Sequence, residues 1–363
     1  MNKKNILLLS GIIVFVVLCG ILLLFKGETK EQSSTKVGLI ITGKKDEGGW
    51  NEAHYDAMKQ ACKEQGAELI VKESIHEGTG ECFSVIDELA KEGANMIFMA
   101  GYAYGKEVSS CAYKYPKIAF FQIDENYTGK NVSSYFGRMY QARYLSGIVA
   151  GRMTKTKHIG YVAAMKTPEV LRGINAFTLG AKKANKNVKV YVKWTGSWDD
   201  DKLEKEYAKG LIKDYNVDLL TYHENKTNVI DVAEENNIYS IGYHFNDSER
   251  YSSKYLTSAV WNFKKFYKDR IRDFETTGSI KVESYWYGVK EGIVDLGKYS
   301  ELIDSETKKD LDKVREDMCN GWDVFSGPIY DKEKILRVDK NERLSDTYLQ
   351  TQINWLVDGV VEK

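Results

Sequence analysis

Proline is almost missing, at three of 363 residues, which excludes a chain built on long Pro-rich linkers. Neither sign of charge is in excess, since 52 Lys and Arg meet 52 Asp and Glu. Nucleic-acid binders carry a basic stripe, so this balance gives no support for a nucleic-acid partner. The five cysteines, Cys19, Cys62, Cys82, Cys111 and Cys319, form no CxxC pair. The five histidines, His54, His76, His158, His223 and His244, show no metal-like spacing, so no metal site is expected. No GxSxG, HExxH or GKS phosphate loop occurs, no GxGxxG follows a strand, and no nucleophile has a base beside it. Neither catalysis nor a bound cofactor is expected. The acids Asp199-Asp200-Asp201 read as a helix cap with favourable charge at the helix N-terminus.

What is present is globular composition, 43% apolar and 12% aromatic, in a chain long enough for two or three domains. The first residues differ from the rest. Ile6–Phe25 carries no charge, and only Ser10, Gly11, Cys19 and Gly20 interrupt its apolar run. At ~1.5 Å per residue it spans ~30 Å, the thickness of a bilayer core. Lys3 and Lys4 before it favour an inward N-terminus, which puts everything after Lys26 on the outer face. Two fates compete for this segment, a retained single-pass anchor and lipid processing at Cys19. The large Leu18 before Cys19 favours the anchor. Residues 1–25 are therefore expected as a membrane anchor or signal segment, and the polar residues 26–35 as a tether.

From Lys36 onward, short apolar runs alternate with helical stretches. Val37–Ile41, Glu68–Val71, Met96–Ala100, Ile118–Ile123 and Asn131–Phe136 read as strands, with helices between them. The rhythm restarts with Ile159–Ala164, Val188–Trp194, Asp218–Tyr222 and Tyr239–Tyr243. The expected fold class is α/β, with two doubly wound parallel-sheet lobes and a ligand cleft between them. The first lobe is expected from residues 36–137 plus about 258–283, which assigns the strand Leu256–Trp261 to it. Residues 138–257 plus part of 284–363 make the second.

Aromatic residues collect at strand ends. Gly48-Gly49-Trp50-Asn51 follows the first strand, Tyr102 and Tyr104 the third, Trp194 and Trp198 bracket Thr195-Gly196-Ser197, and Tyr243-His244-Phe245 follows another strand. Most aromatics are core, but a Trp at a Gly-flanked strand-to-helix turn is harder to explain by packing. Such residues would line the cleft and stack on a planar ligand, which makes Tyr104 a candidate beside Trp50 and Trp198. Cys82 and Cys111 fall on the second and third helices, which strand order 2-1-3 puts on one sheet face. A disulfide between them is expected if the domain lies outside the membrane, and buried free thiols are the alternative.

The run Gly48-Gly49-Trp50-Asn51-Glu52-Ala53-His54-Tyr55 resembles the opening motif of the basic membrane protein family, the nucleoside-binding solute receptors. Phe120–Asp124, Tyr144–Gly151, Pro168–Phe177, Trp194–Asp200 and Gly327-Pro328-Ile329 fit as well, so the resemblance covers roughly Lys36 to Val361. It implies a two-lobed periplasmic-binding-protein fold that binds a purine base or nucleoside and delivers it to an ABC permease. The same cleft in a membrane-anchored sensor or regulator is the alternative. By the resemblance, the first stacking aromatic and the Asn after it fall on Trp50 and Asn51, the strand-four acid on Asp124, the second stacking aromatic on Trp198 and a backbone-contact glycine on Gly242. Two positions depart. His244 stands where the nucleoside binders carry an Asp, and Trp261 where they carry a Lys, the pair that holds the ribose. These departures shift the expected ligand from a nucleoside towards a free purine base.

Overall fold

The computed structural model describes residues 35–123 and 128–363. The apolar segment Ile6–Phe25, the tether, Cys19 and Asp124 lie outside the described residues.

The first lobe opens with β1 (Lys36–Ile40), α1 (Trp50–Gln65), β2 (Glu68–Lys72), α2 (Glu81–Lys91), β3 (Met96–Met99), a 3₁₀ turn (Tyr102–Tyr104), α3 (Gly105–Lys114), β4 (Ala119–Ile123) and β5 (Val132–Gly137). β3 and β4 are buried at every position, as strands covered by helices on both faces must be. The second lobe follows with α4 (Met139–Met153), β6 (His158–Ala163), α5 (Pro168–Ala184), β7 (Lys189–Trp194), α6 (Asp201–Tyr215), β8 (Leu219–His223), α7 (Asn228–Glu235), β9 (Tyr239–His244) and β10 (Tyr255–Trp261). Then come α8 (Phe263–Thr277), β11 (Ser284–Tyr287), β12 (Val294–Leu296), α9 (Ser305–Cys319), β13 (Ile329–Tyr330), β14 (Leu336–Val338), α10 (Asp346–Thr351) and β15 (Val360–Glu362).

The two sheets repeat one topology. The first has the order β11-β5-β4-β3-β1-β2, all parallel; the second runs β12-β10-β9-β8-β6-β7-β15, with only β12 antiparallel. Within each lobe the first five strands lie in the order 2-1-3-4-5, the doubly wound arrangement whose ligands sit at the carboxyl ends of the strands. The expected α/β class and parallel sheets are therefore present.

The boundary expected near residue 258 needs correction. Leu256–Trp261 belongs to the second sheet, where Ser258 pairs with Gly242 and Ala259 with Tyr243. The chain returns to the first lobe only afterwards, with α8 packed on α1 and β11 on β5. An apolar run announces a strand but not which sheet it joins; cross-strand register decides that.

Local chemistry explains several elements. Thr167 caps α5 by accepting from the Val170 amide, with Pro168 in its first turn, and Asp200 caps α6 by accepting from the Leu203 amide at 2.9 Å. The cap expected at Asp199–Asp201 thus falls on its middle acid. α4 and α5 approach so closely that a Cβ on Gly147 or Gly180 would lie 2.0 Å from the opposite helix's backbone oxygen. No helix of the described residues is long and apolar enough to cross a membrane.

Candidate functional site

The carboxyl ends of the two sheets meet at Gly49 and Asn225. A Cβ on Gly49 would lie 2.0 Å from the Asn225 carbonyl, so only glycine lets the first lobe's opening loop touch the loop after β8. Trp50, the next residue, starts α1 half-buried, and its indole N–H donates to the Ala100 carbonyl after β3 at 2.7 Å. Rings from both lobes surround it. His54 lies 4.2 Å away, Phe263 5.8 Å and Phe136 6.4 Å, centroid to centroid; from the second sheet come Trp261 at 5.6 Å and His244 at 5.8 Å. Trp261 stacks on Phe263 at 5.0 Å. Most of these contacts are edge-on, the arrangement that favours the ring quadrupoles.

Asn51 is buried and already committed. Its Oδ1 accepts from the Thr42 amide and hydroxyl at 3.0 and 3.1 Å, and its Nδ2 donates to Glu47 at 2.7 Å. It braces the loop that aims Trp50.

The second wall is polar. The Nε2 of His223, at the end of β8, sits 3.1 Å from both Glu169 Oε1 and the Tyr243 hydroxyl. Arg143 reaches from α4 to donate to the Tyr222 carbonyl at 2.7 Å, and its guanidinium lies 3.7 Å from the Tyr243 ring. Its Nε and Nη1 have no partner among the described residues. His244 ends β9 with φ of 75°, a left-handed conformation that costs a non-glycine residue free energy. Its Nε2 sits 3.0 Å from the Glu224 carbonyl, while Nδ1 is buried without a partner among the described residues. Trp261 Nε1 is likewise buried and unpartnered. Trp198, half-buried, lies 6.0 Å from His223 and accepts at its carbonyl from the Asn225 amide. Gly242 is packed into β9, where a Cβ would meet the Tyr255 hydroxyl at 2.1 Å.

Burial sets the charges on this wall. It lowers the pKa of His244 to about 3, helped by His223; on the first lobe it lowers that of His54 well below the usual range. Burial likewise lowers His223, opposed by Glu169. Burial would raise Glu169, but His223 beside it and Arg172 near it hold it below the usual carboxylate range. A charged His223 and a charged Glu169 would each favour the other, yet the imidazole is 2% exposed against 18% for the carboxylate. Enclosure decides the pair: His223 stays neutral and donates to an ionised Glu169. Burial also raises Glu224 to about 9, against the Thr195 hydroxyl that donates to it at 2.9 Å. Among the described residues no group of His, Cys, Asp or Glu is placed to hold a metal ion.

Of the expected site residues, the structure brings Trp50, His244 and Trp261 together, with Asn51 behind them and Trp198 and Gly242 farther along the second wall. Tyr104 needs correction. It is fully buried among Cys82, Val108 and Cys111 on the far side of the first sheet, and its hydroxyl donates to the Ile75 carbonyl. Tyr102, two residues earlier, is 52% exposed and lies 6.2 Å from Phe136. The Cys82–Cys111 bridge is not formed. Both are free thiols in one apolar cluster, Cys62 and Cys319 are also free thiols, and burial raises the Cys82 and Cys111 pKa values out of the reactive range. Phe136, Phe263, His223, Glu224 and Arg143 were not marked by the sequence. Phe136 and His223 share the strand-end signal of Trp50; Arg143 and Glu224 carry none.

Two surface hollows lie elsewhere, one of about 310 Å³ around Arg152 and Asp310, the other of about 500 Å³ around Lys264 and Asp269. Ion pairs line both, and neither gathers buried unpaired groups.

The chain is similar to known proteins over most of its length. The sequence model of the Bmp family, described as ABC transporter substrate-binding protein PnrA-like, matches residues 34–323. A purine-binding protein of Brucella abortus is 30% identical over 340 residues, 93% of this chain and 96% of its own. A putative ABC transporter glucose-binding protein of Haloferax volcanii is 28% identical over 313 residues, 86% of this chain and 76% of its own. The crystal structure of a transcriptional activator of the comK gene from Bacillus halodurans superposes with a TM-score of 0.69 at 22% identity, covering 79% of this chain and 98% of that one. That likeness is one of fold.

Proposed function

This chain belongs to the Bmp family of PnrA-like ABC transporter substrate-binding proteins, and from that premise we propose that it captures a free purine base between its lobes for delivery to an ABC permease. One observation carries the reading: Trp50 is set at the lobe junction within 6.4 Å of aromatic or imidazole rings from both sheets. A flat, largely apolar ring fits between such walls, and base–aromatic stacking contributes ~1–3 kcal/mol per base. The purine-binding relative supports the same ligand class. Trp50, Asn51, Trp198, Gly242, His244 and Trp261 are the residues we assign to this cleft, with Asp124 from the segment after β4.

The base is favoured over a nucleoside because the second wall presents Trp261 and a neutral His244, and neither matches the two adjacent hydroxyls of a ribose. A regulatory use of the same cleft would need the same ligand, and the Bacillus likeness supports the fold without choosing between roles. Titration calorimetry on the purified protein with adenine, hypoxanthine, guanine, their nucleosides and glucose tests the reading. A base should bind at least tenfold tighter than its nucleoside, ~1.4 kcal/mol. Tighter binding of a nucleoside or of glucose overturns it.

Ile6–Phe25 is proposed to stay attached and hold the lobes on the outer face of the cell membrane. Intact-mass analysis of membrane-extracted protein should show the full chain. A species starting at an acylated Cys19, or near Lys26, rejects the retained anchor.

A further inference from the structure

Three buried polar atoms beside Trp50 have no partner among the described residues: His54 Nε2 on the first lobe, and Trp261 Nε1 and His244 Nδ1 on the second, where they sit at adjacent strand ends. Trp261 Nε1 can only donate. It is enclosed in a residue 7% exposed, whose ring lies 5.6 Å from Trp50. His244 Nδ1 belongs to a residue 5% exposed, 5.8 Å from Trp50 on another strand end. The role of Nδ1 follows from its neighbour. Nε2 faces the Glu224 carbonyl, which can only accept, so the ring proton sits on Nε2. An enclosed, neutral imidazole with its proton there leaves Nδ1 as a bare acceptor.

Both groups are held at a cost. His244 keeps its left-handed backbone although asparagine or glycine would adopt it more easily. A buried donor or acceptor left unpaired forfeits its hydration. Strain and unpaired polarity falling together beside the same indole point to a bound partner that supplies the complementary atoms. We infer that His244 and Trp261 form a reading pair, in which Trp261 donates to a ring nitrogen or oxo group of the ligand and His244 Nδ1 accepts a ligand N–H. This rests on the purine reading of the cleft and narrows it to neutral heterocycles that keep an N–H free for His244. An N-substituted ring that lacks this hydrogen leaves Nδ1 unpaired and is discriminated against.

The test uses the full-length protein, calorimetry with adenine, 9-methyladenine and unsubstituted purine, and thermal melts without ligand. His244→Gly removes the acceptor and relieves the backbone. It should bind adenine at least tenfold more weakly while melting no lower than the parent. His244→Asn, which tolerates the same backbone and offers an amide oxygen, should recover part of that loss. Trp261→Phe keeps the ring and deletes only the N–H, and should also weaken adenine at least tenfold. The analogue lacking the hydrogen that His244 uses should lose at least tenfold against adenine in the parent and nothing further in His244→Gly. Nitrogen-15 spectra of the imidazole should show the Nε2-protonated tautomer, with the Nδ1 resonance moving when adenine is added. If adenine binds and both His244→Gly and Trp261→Phe bind it as the parent does, the reading pair is wrong while the purine cleft stands. If neither adenine nor any other purine base binds, the purine reading itself fails.

Discussion

The two walls of the cleft are built from the same strand order but opposite chemistry. On the first-lobe wall most described polar groups are spent: Asn51 is bonded to Thr42 and Glu47, and the Trp50 N–H to Ala100, which leaves His54 Nε2 as the atom beside the indole without a described partner. What it offers is ring surface. The second wall keeps buried polar atoms in reserve on His244, Trp261, Arg143 and Glu224. A receptor divided this way holds its ligand by area on one side and orients it by hydrogen bonds on the other. Area is indifferent to which planar ring arrives; unpaired polar atoms are not.

The division can be broken at its seam first. Gly49→Val places a side chain against the Asn225 carbonyl, where the two lobes touch. Closure should fail, with affinity falling by far more than tenfold and the X-ray scattering radius of gyration staying large when ligand is added. A variant that still compacts on adding ligand would show that the contact is not needed for closure.

Next come the ring surfaces. Trp50→Ala and Trp198→Ala should each weaken binding by roughly 1–3 kcal/mol, measured by calorimetry. Trp50, ringed by five partners, should show the larger loss. A loss in apo melting temperature with affinity intact would return either residue to the core.

The polar wall should then reveal itself through pH. The Glu224 carboxyl is raised to about 9 in the fold, above its unfolded value near 4.5, so the folded state holds the proton more tightly. Its contribution to stability is complete below the unfolded pKa and is lost as pH rises towards 9. Denaturant melts should show stability declining across that window, by up to about 1.4 kcal/mol per pH unit. Glu224→Gln should flatten the decline and leave the variant the more stable protein at alkaline pH. His244 acts in the opposite sense: its pKa is lowered, so its contribution is lost as pH falls from about 6.5 towards 3. An unchanged alkaline slope in Glu224→Gln would place the titration elsewhere.

The smallest effect is expected away from both walls. Tyr104→Phe should cost about 0.5–1.5 kcal/mol of stability through the lost bond to Ile75, with ligand affinity unmoved.

Tyr104 also marks where the sequence stopped being readable. Aromatics at strand ends were visible because a Trp beside two glycines has no packing excuse, and this leads to Trp50 and its neighbours. It does not say which aromatic of a turn faces the cleft. Tyr102 and Tyr104 share a 3₁₀ turn, where two positions amount to about two-thirds of a revolution and send one ring outward and the other into the core. The parallel strands were legible from their short apolar runs, whereas the sheet joined by Leu256–Trp261 depended on pairing between distant segments. Asn51 was legible as a site residue but not as a brace, since its bonds run to Thr42 and Glu47 across a loop. Arg143, mid-helix in an apolar stretch, gave no sign that it would cross to the end of β8.

The late return of the chain to its first lobe sets a schedule for biogenesis. Among the described residues the outer edge of β5 is covered by β11, and the Ser134–Ser284 hydrogen bond between them joins residues 150 positions apart. At ~5–20 residues per second, ribosomal synthesis leaves that edge without its partner for roughly 8–30 seconds. α8, which packs on α1, is equally late. A nascent first lobe therefore exposes an open strand edge and an uncovered helix face until the second lobe has been made, a window in which edge-to-edge pairing between neighbouring chains competes with folding. A holding chaperone would act in that interval, before either half of the receptor exists as a finished unit.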